Sequence, residues 1–161
     1  MKDFIYDIGT RVYFGKDQLQ NVGTEVKSHG NRVLLVYGGG SIKRSGLYDK
    51  VMASLKDAGL TVFELPGIDP NPRIQSVRDG VAICKKENID VVLAVGGGSS
   101  LDAAKVICAG AVVDHDPWDF LGAKRLPVTK ALPLVTILTL AATGSEMDMF
   151  AVISNPDRIK M

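Results

Sequence analysis

The sequence predicts an α/β fold, a parallel sheet flanked by helices, on three observations. The runs Val33-Leu34-Leu35-Val36 and Val91-Val92-Leu93-Ala94-Val95 are unbroken apolar stretches, as expected of strands covered on both faces. They alternate with segments whose apolar residues recur at helical spacing, which is the pitch of β-α-β units with right-handed crossovers. Polar, glycine-rich turns follow the apolar runs. At 161 residues and 46% hydrophobic content the chain can bury one core and is short for two, so we expect a single domain over 1–161.

Each element has its own signal. Phe4–Tyr6 and Arg11–Phe14 alternate apolar and polar residues around Ile8-Gly9, which predicts a short N-terminal β-hairpin or edge-strand pair. Lys16 to His29 sets Leu19, Val22 and Val26 on one helical face, with Gly30 as a stop. Arg32 to Tyr37 is the first core strand, running into Gly38-Gly39-Gly40-Ser41. Ser45 to Ala58 is helical through Leu47, Val51 and Leu55, and Gly59 closes it; Thr61–Leu65 is the next strand. After Pro70-Asn71-Pro72, the positions Ile74, Val77, Val81 and Cys84 mark a helix feeding the strand Ile89–Val95. Ser100 to about Gly110 is helical, Asp114–Gly122 is a loop holding Trp118, and Leu134–Leu140 is a further buried strand. Ala141–Glu146 reads as a turn, Ala151–Ser154 as one more strand, and Asn155–Met161 follows without a capping helix. The whole is Rossmann-like.

Composition narrows the function. Nineteen basic against eighteen acidic residues give a formal charge of +1, with no basic block for nucleic acid. No stretch reaches the ~18–20 apolar residues of a membrane span, and Met1-Lys2-Asp3-Phe4 does not open a secretory signal, so a cytoplasmic protein is expected. Cys84 and Cys108 lie in apolar helical contexts and read as buried free thiols. His29 and His115 stand alone, so no complete transition-metal site is visible.

The most informative run is Gly96-Gly97-Gly98-Ser99-Ser100-Leu101-Asp102, at a strand end opening a helix. Glycines let main-chain N–H groups converge on an anion, and the helix start adds orphan donors and a positive dipole end. The alternative is helix initiation alone, with Ser99 as N-cap and Asp102 three residues on in a capping box; capping does not call for three glycines. The fingerprint G-x-G-x-x-G is absent, as is a Gly-Gly-Asp-Gly turn. Gly38-Gly39-Gly40-Ser41 stands where a doubly wound domain meets the adenosine ribose. An aspartate there would bind the 2′-hydroxyl of NAD and repel a 2′-phosphate. None is present, Ser41 can donate, and Lys43 and Arg44 carry positive charge, which favours NADP over NAD, although a solvated basic helix start is the other reading of that pair. Thr139, Thr143 and Ser145 cluster hydroxyls around Gly144, as cofactor donors or an ordinary turn. Asn71 between two prolines is a turn-former or a ligand contact. The turns at 38–41, 96–99 and 143–145 all follow strands, so one crevice can collect them.

Together, Gly38-Gly39-Gly40-Ser41, Pro70-Asn71-Pro72, Gly96-Gly97-Gly98-Ser99 with Asp102 and Lys105, Asp116-Pro117-Trp118 and Thr143-Gly144-Ser145-Glu146 resemble the N-terminal half of the iron-containing (group III) alcohol dehydrogenases, nearest the NADP-preferring butanol dehydrogenase branch. The resemblance implies a dinucleotide-binding domain. Its C-terminal helical, metal-binding partner, with one aspartate and three histidines for Fe2+ or Zn2+, is absent from this chain, which reads as a fragment. The implied reaction moves hydride between NADP(H), or NAD, and a primary alcohol or aldehyde such as butanol or butyraldehyde, with the fragment alone inactive and the whole enzyme a homodimer. By position, Gly97, Gly98 and Ser99 would hold the pyrophosphate and Asp102 would lie near the ribose or nicotinamide. Thr139, Thr143 and Ser145 would line the channel, Asn71 would touch the cofactor, Gly39 would sit at the ribose-discriminating position, and Lys160 would match a cofactor-facing lysine. A glycerol dehydrogenase, a dehydroquinate synthase-like relative and a non-catalytic nucleotide-binding module are the rival readings.

Overall fold

The structure, a computed structural model, describes residues 9–156. Four parallel strands form one sheet in the order β2-β1-β3-β4: β1 (Arg32–Gly38), β2 (Thr61–Ile68), β3 (Val91–Gly96) and β4 (Leu134–Leu138). The register runs Val33↔Val91 to Tyr37↔Val95 between the two central strands, and Val92↔Leu134 to Gly96↔Leu138 at β4.

The helices divide between the two faces. Val33, Leu35 and Tyr37 of β1, with Val91, Leu93 and Val95 of β3, pack against Val22 and Val26 of α1 (Val22–Lys27) and Val51 and Leu55 of α3 (Leu47–Asp57). The alternate residues Leu34, Val36, Val92 and Ala94 pack on the other face against α4 (Ile74–Lys86) and α5 (Gly98–Gly110). Strand alternation thus explains why Val33–Tyr37 and Val91–Val95 are apolar at every position. Each fully buried Val or Leu contributes about 1.5–3 kcal/mol, so these two strands anchor the fold. Helices α4 and α5 approach closely because Gly80 has no side chain: a Cβ there would stand 2.5 Å from Ile107 Cδ1 and 2.9 Å from Leu65 Cδ2.

Several expectations are corrected. Arg11–Phe14 joins no strand; Phe14 is 96% exposed, and Arg11 and Tyr13 turn instead to the Glu25 carboxylate at 3.2 and 2.8 Å. Phe4–Tyr6, the other half of the expected hairpin, lies outside the described residues. The helix expected over 16–29 is a 3-10 turn, Gln18–Asn21, leading into the shorter α1. The helix expected from Ser45 begins earlier, as the four-residue α2 (Ser41–Arg44), and breaks at Gly46 (φ 72°) before α3. The expected loop around Trp118 contains a short α6 (Trp118–Leu121).

Ala151–Ser154 is no strand beyond a single bridge, Arg73↔Ser154. Asp102 of α5 accepts from Val152 N at 3.0 Å and Lys105 donates to Phe150 O, just before the segment, at 2.7 Å, while Ser154 pairs with Pro72 O and Ile74 N.

Candidate functional site

The connection from β1 passes through α3 on one face to β2, while β3 is followed by α5 on the other face, so the chain reverses direction between β1 and β3. In open α/β sheets that switch point opens a crevice at the strands' carboxyl ends. The β1 turn and the β3 turn flank it. The buried Ser100 is wedged between them: Cβ atoms built at Gly38 and Gly96 would stand 3.9 and 2.6 Å from its Oγ. Sequence reading passed over Ser100, because only the strand order shows that both turns close on it.

The N-terminus of α5 has the features of an anion cradle. Its N-cap is Gly97, in extended backbone (φ −87°, ψ −173°), and no side chain caps it. Ser99 is the second helical residue, so the capping-box alternative fails; Asp102 reaches across to Ser145 Oγ (2.6 Å), not back to the helix start. Neither Gly97 nor Gly98 is required by the protein's own packing. A Cβ at Gly97 would lie 3.9 Å from Leu140 Cβ, and one at Gly98 3.6 Å from Thr143 Oγ1, both ordinary contacts, and neither residue has a positive φ. Bare backbone at these two places leaves room for something outside the chain.

The other turns contribute differently. Thr139 N donates to Gly96 O at 3.0 Å, which carries β4 past its last paired residue and leaves Thr139 exposed at the mouth. Thr143 is exposed beside Gly98, and Gly144 (φ 80°) turns the chain into the 3-10 turn Ser145–Met147. Ser145 is 3% exposed, and its hydroxyl faces Asp102 rather than the crevice. Asp102 and Lys105 together strap 145–152 to α5; Lys105 also donates to Asp148 Oδ1 at 2.8 Å, and that bond holds the Asp148 carboxyl below its ordinary range. Asp102 and Ser145 are therefore engaged with one another.

At the β1 end, Gly39 is exposed with nothing within 4 Å of a built Cβ, and Gly40 (φ 106°) turns the chain into α2. Ser41 and Lys43 are exposed, while Ile42 is buried and pins α2 down. Asn71 is exposed at φ 56°, the left-handed conformation asparagine tolerates, in the loop beyond β2. Asp116 accepts from Arg78 Nε (2.9 Å) and Trp118 N (2.7 Å), so that motif ties α4 to α6 at the far end of α5. Lys160 lies outside the described residues. Among the described residues no group of three or more His, Cys, Asp or Glu could hold a metal ion, and no helix is long and apolar enough to cross a membrane.

Comparison with known proteins gives a consistent picture. The chain is 53% identical over 155 residues to the NADH-dependent butanol dehydrogenase A of Clostridium acetobutylicum, covering 96% of this chain and 40% of that protein. It is 40% identical over 156 residues to the NADPH-dependent aldehyde reductase of Escherichia coli, covering 96% of this chain and 40% of that one. The crystal structure of NADH-dependent butanol dehydrogenase A from Thermotoga maritima superposes with a TM-score of 0.93 at 43% identity, over 98% of this chain and 40% of that chain. This chain thus spans about 40% of the length of the relatives it matches. The sequence model of one family, "Iron-containing alcohol dehydrogenase", matches residues 9–161, and on that match the chain belongs to the iron-containing alcohol dehydrogenase family.

Proposed function

We propose that residues 1–161 are the dinucleotide-binding lobe of an oxidoreductase that moves hydride between NAD(P)H and a small primary alcohol or aldehyde, the butanol/butyraldehyde pair being the first to test. The observation that carries the reading is the uncapped start of α5 with two glycines the fold does not need. In this reading the amides at Gly97, Gly98 and Ser99 bind the pyrophosphate, and the Ser99 hydroxyl, which has no partner among the described residues, donates beside them. Thr139 and Thr143 border the path toward the nicotinamide. Asp102 and Ser145 hold the 143–152 segment beside it, Asn71 touches the cofactor, and Lys160 is assigned to it on the family resemblance alone. When bound, the cofactor supplies hydride at its nicotinamide ring; the chain orients it and shields one side of the crevice.

The turn from Gly38 to Arg44 supports NADP(H), since Gly38, Gly39, Gly40 and Ser41 bring no carboxylate against a 2′-phosphate and Lys43 and Arg44 bring charge toward it. The names of the relatives include both cofactors, NADH for the Clostridium and Thermotoga proteins and NADPH for the Escherichia coli reductase. Among the described residues no group of three or more His, Cys, Asp or Glu could hold Fe2+ or Zn2+, and on the family resemblance we assign the metal to a second, C-terminal domain. The complete enzyme is proposed to be a cytoplasmic homodimer.

The test is fluorescence titration of the chain with NADPH and NADH, followed by butyraldehyde reduction with added Fe2+ or Zn2+. Saturable binding without turnover is expected. Absence of binding overturns the cofactor reading, and sustained turnover overturns the assignment of catalysis to the two-domain enzyme.

A further inference from the structure

Beside the β1 turn, four side chains from four elements, β1, α2, α3 and β2, build an arrangement the sequence does not display. Tyr37 and Tyr48 stand with ring centroids 5.7 Å apart, tilted by 57°. Both hydroxyls donate to one carboxylate, Tyr37 to Glu64 Oε2 at 2.6 Å and Tyr48 to Glu64 Oε1 at 3.0 Å. Lys43 Nζ lies over both rings, 4.6 Å from the Tyr48 centroid and 5.4 Å from that of Tyr37. Burial and the Glu64 carboxylate push the Tyr37 hydroxyl up to about 12, and the same causes raise Tyr48, so both phenols remain neutral donors across the working range.

Lys43 has no carboxylate within ion-pair distance among the described residues, unlike Lys85, Lys105 and Lys124. A π-face restrains a cation without cancelling its charge, because the attraction comes from the ring quadrupole. Lys43 therefore has fewer rotamers to lose on meeting an anion and keeps its full charge for it. The lysine follows the Gly38–Gly40 turn, where Gly39 leaves open space.

We infer that Lys43 is the residue that selects a 2′-phosphorylated adenosine, and that Tyr48 and Glu64 are positioning residues that hold it ready. The inference rests on the cofactor reading above. Its test compares the chain with Lys43→Gln, Tyr48→Leu, Tyr48→Phe and Glu64→Gln, reading dissociation constants for NADPH and NADH and for the fragments 2′,5′-ADP and 5′-AMP.

Lys43→Gln weakens NADPH and 2′,5′-ADP about tenfold and leaves NADH and 5′-AMP unchanged. Tyr48→Leu lowers the same ratio about two- to fivefold, and Tyr48→Phe, which keeps the ring, restores most of it. Glu64→Gln keeps an acceptor for one phenol and lies between. A general loss of packing would weaken all four ligands alike. Lys43 is exposed, so Lys43→Gln folds and carries the test even where Tyr48→Leu does not. Binding of both dinucleotides with a ratio unmoved by Lys43→Gln and Tyr48→Leu overturns this assignment alone; binding of neither overturns it together with the cofactor reading.

Discussion

Gly98→Ala separates what the fold needs from what a ligand needs. At position 98 a methyl group would lie 3.6 Å from Thr143 Oγ1, an ordinary contact, and the backbone is not in the left-handed region. Removing a glycine from a helix also reduces the entropy lost on folding, so stability should hold or rise by no more than about 1 kcal/mol. The same methyl occupies the space through which a phosphate oxygen would reach the amides of the first turn. Loss of one charge-assisted hydrogen bond, about 1.5–3 kcal/mol, corresponds to about ten- to a hundredfold weaker dinucleotide binding. Gly96→Ala is the contrast: its Cβ would stand 2.6 Å from Ser100 Oγ, and the overpacking should destabilise the chain by about 1–3 kcal/mol. Urea unfolding and NADPH titration on both variants give the pair of numbers. A Gly98→Ala chain that binds like the parent refutes the cradle; one that unfolds easily shows that the glycine serves the fold.

Three further outcomes are expected. Asp102→Ala leaves the buried Ser145 hydroxyl without its acceptor, lowering stability by about 1–3 kcal/mol and speeding amide exchange at Val152; unchanged protection there would refute the strap. Gly80→Ala forces α4 from α5 through Ile107 and should lower the unfolding free energy read from urea titration by about 1–3 kcal/mol, with no separate effect on NADPH binding. The Asp90 carboxyl is held below its ordinary value by hydrogen bonds from Asn31 N (2.7 Å) and Arg32 N (2.9 Å). A lowered folded-state pKa stabilises at pH above the unfolded value of about 3.9 and is lost as pH falls through the folded value, so Asp90→Asn should flatten the acid limb of an unfolding profile and leave its neutral part parallel to the parent's.

The sheet was legible because its signals are local. Val91–Val95 is apolar at every position and short, as a strand buried on both faces requires. The glycine turns were legible for the same reason, and the strand order brings two of them to one crevice. What the sequence hid depends on contacts between distant segments. Ser99 satisfies the local pattern of an N-cap, yet Asp102 finds Ser145, 43 residues away, and the helix starts at Gly98 instead. Ala151–Ser154 alternates like a strand, yet Asp102 of α5 takes Val152 N and Lys105 holds the chain at Phe150 O just before it. The Tyr37–Tyr48–Glu64 cluster joins β1, α3 and β2, so no window along the chain contains it. Arg11–Phe14 had strand composition but finds its partner in Glu25 of α1 rather than in a neighbouring strand.

The division of the sheet into two rims has a practical consequence. The turns before the strands, around Gly30, Gly59 and Asn88, and the segment at Asp114 gather at the rim away from the crevice. Labels or surface tethers joined at Lys56, Asn88 or Asp114 therefore sit a full strand length from the glycine turns. An immobilised or dye-labelled form attached there should report ligand capture by the intact chain without the attachment itself entering the measurement.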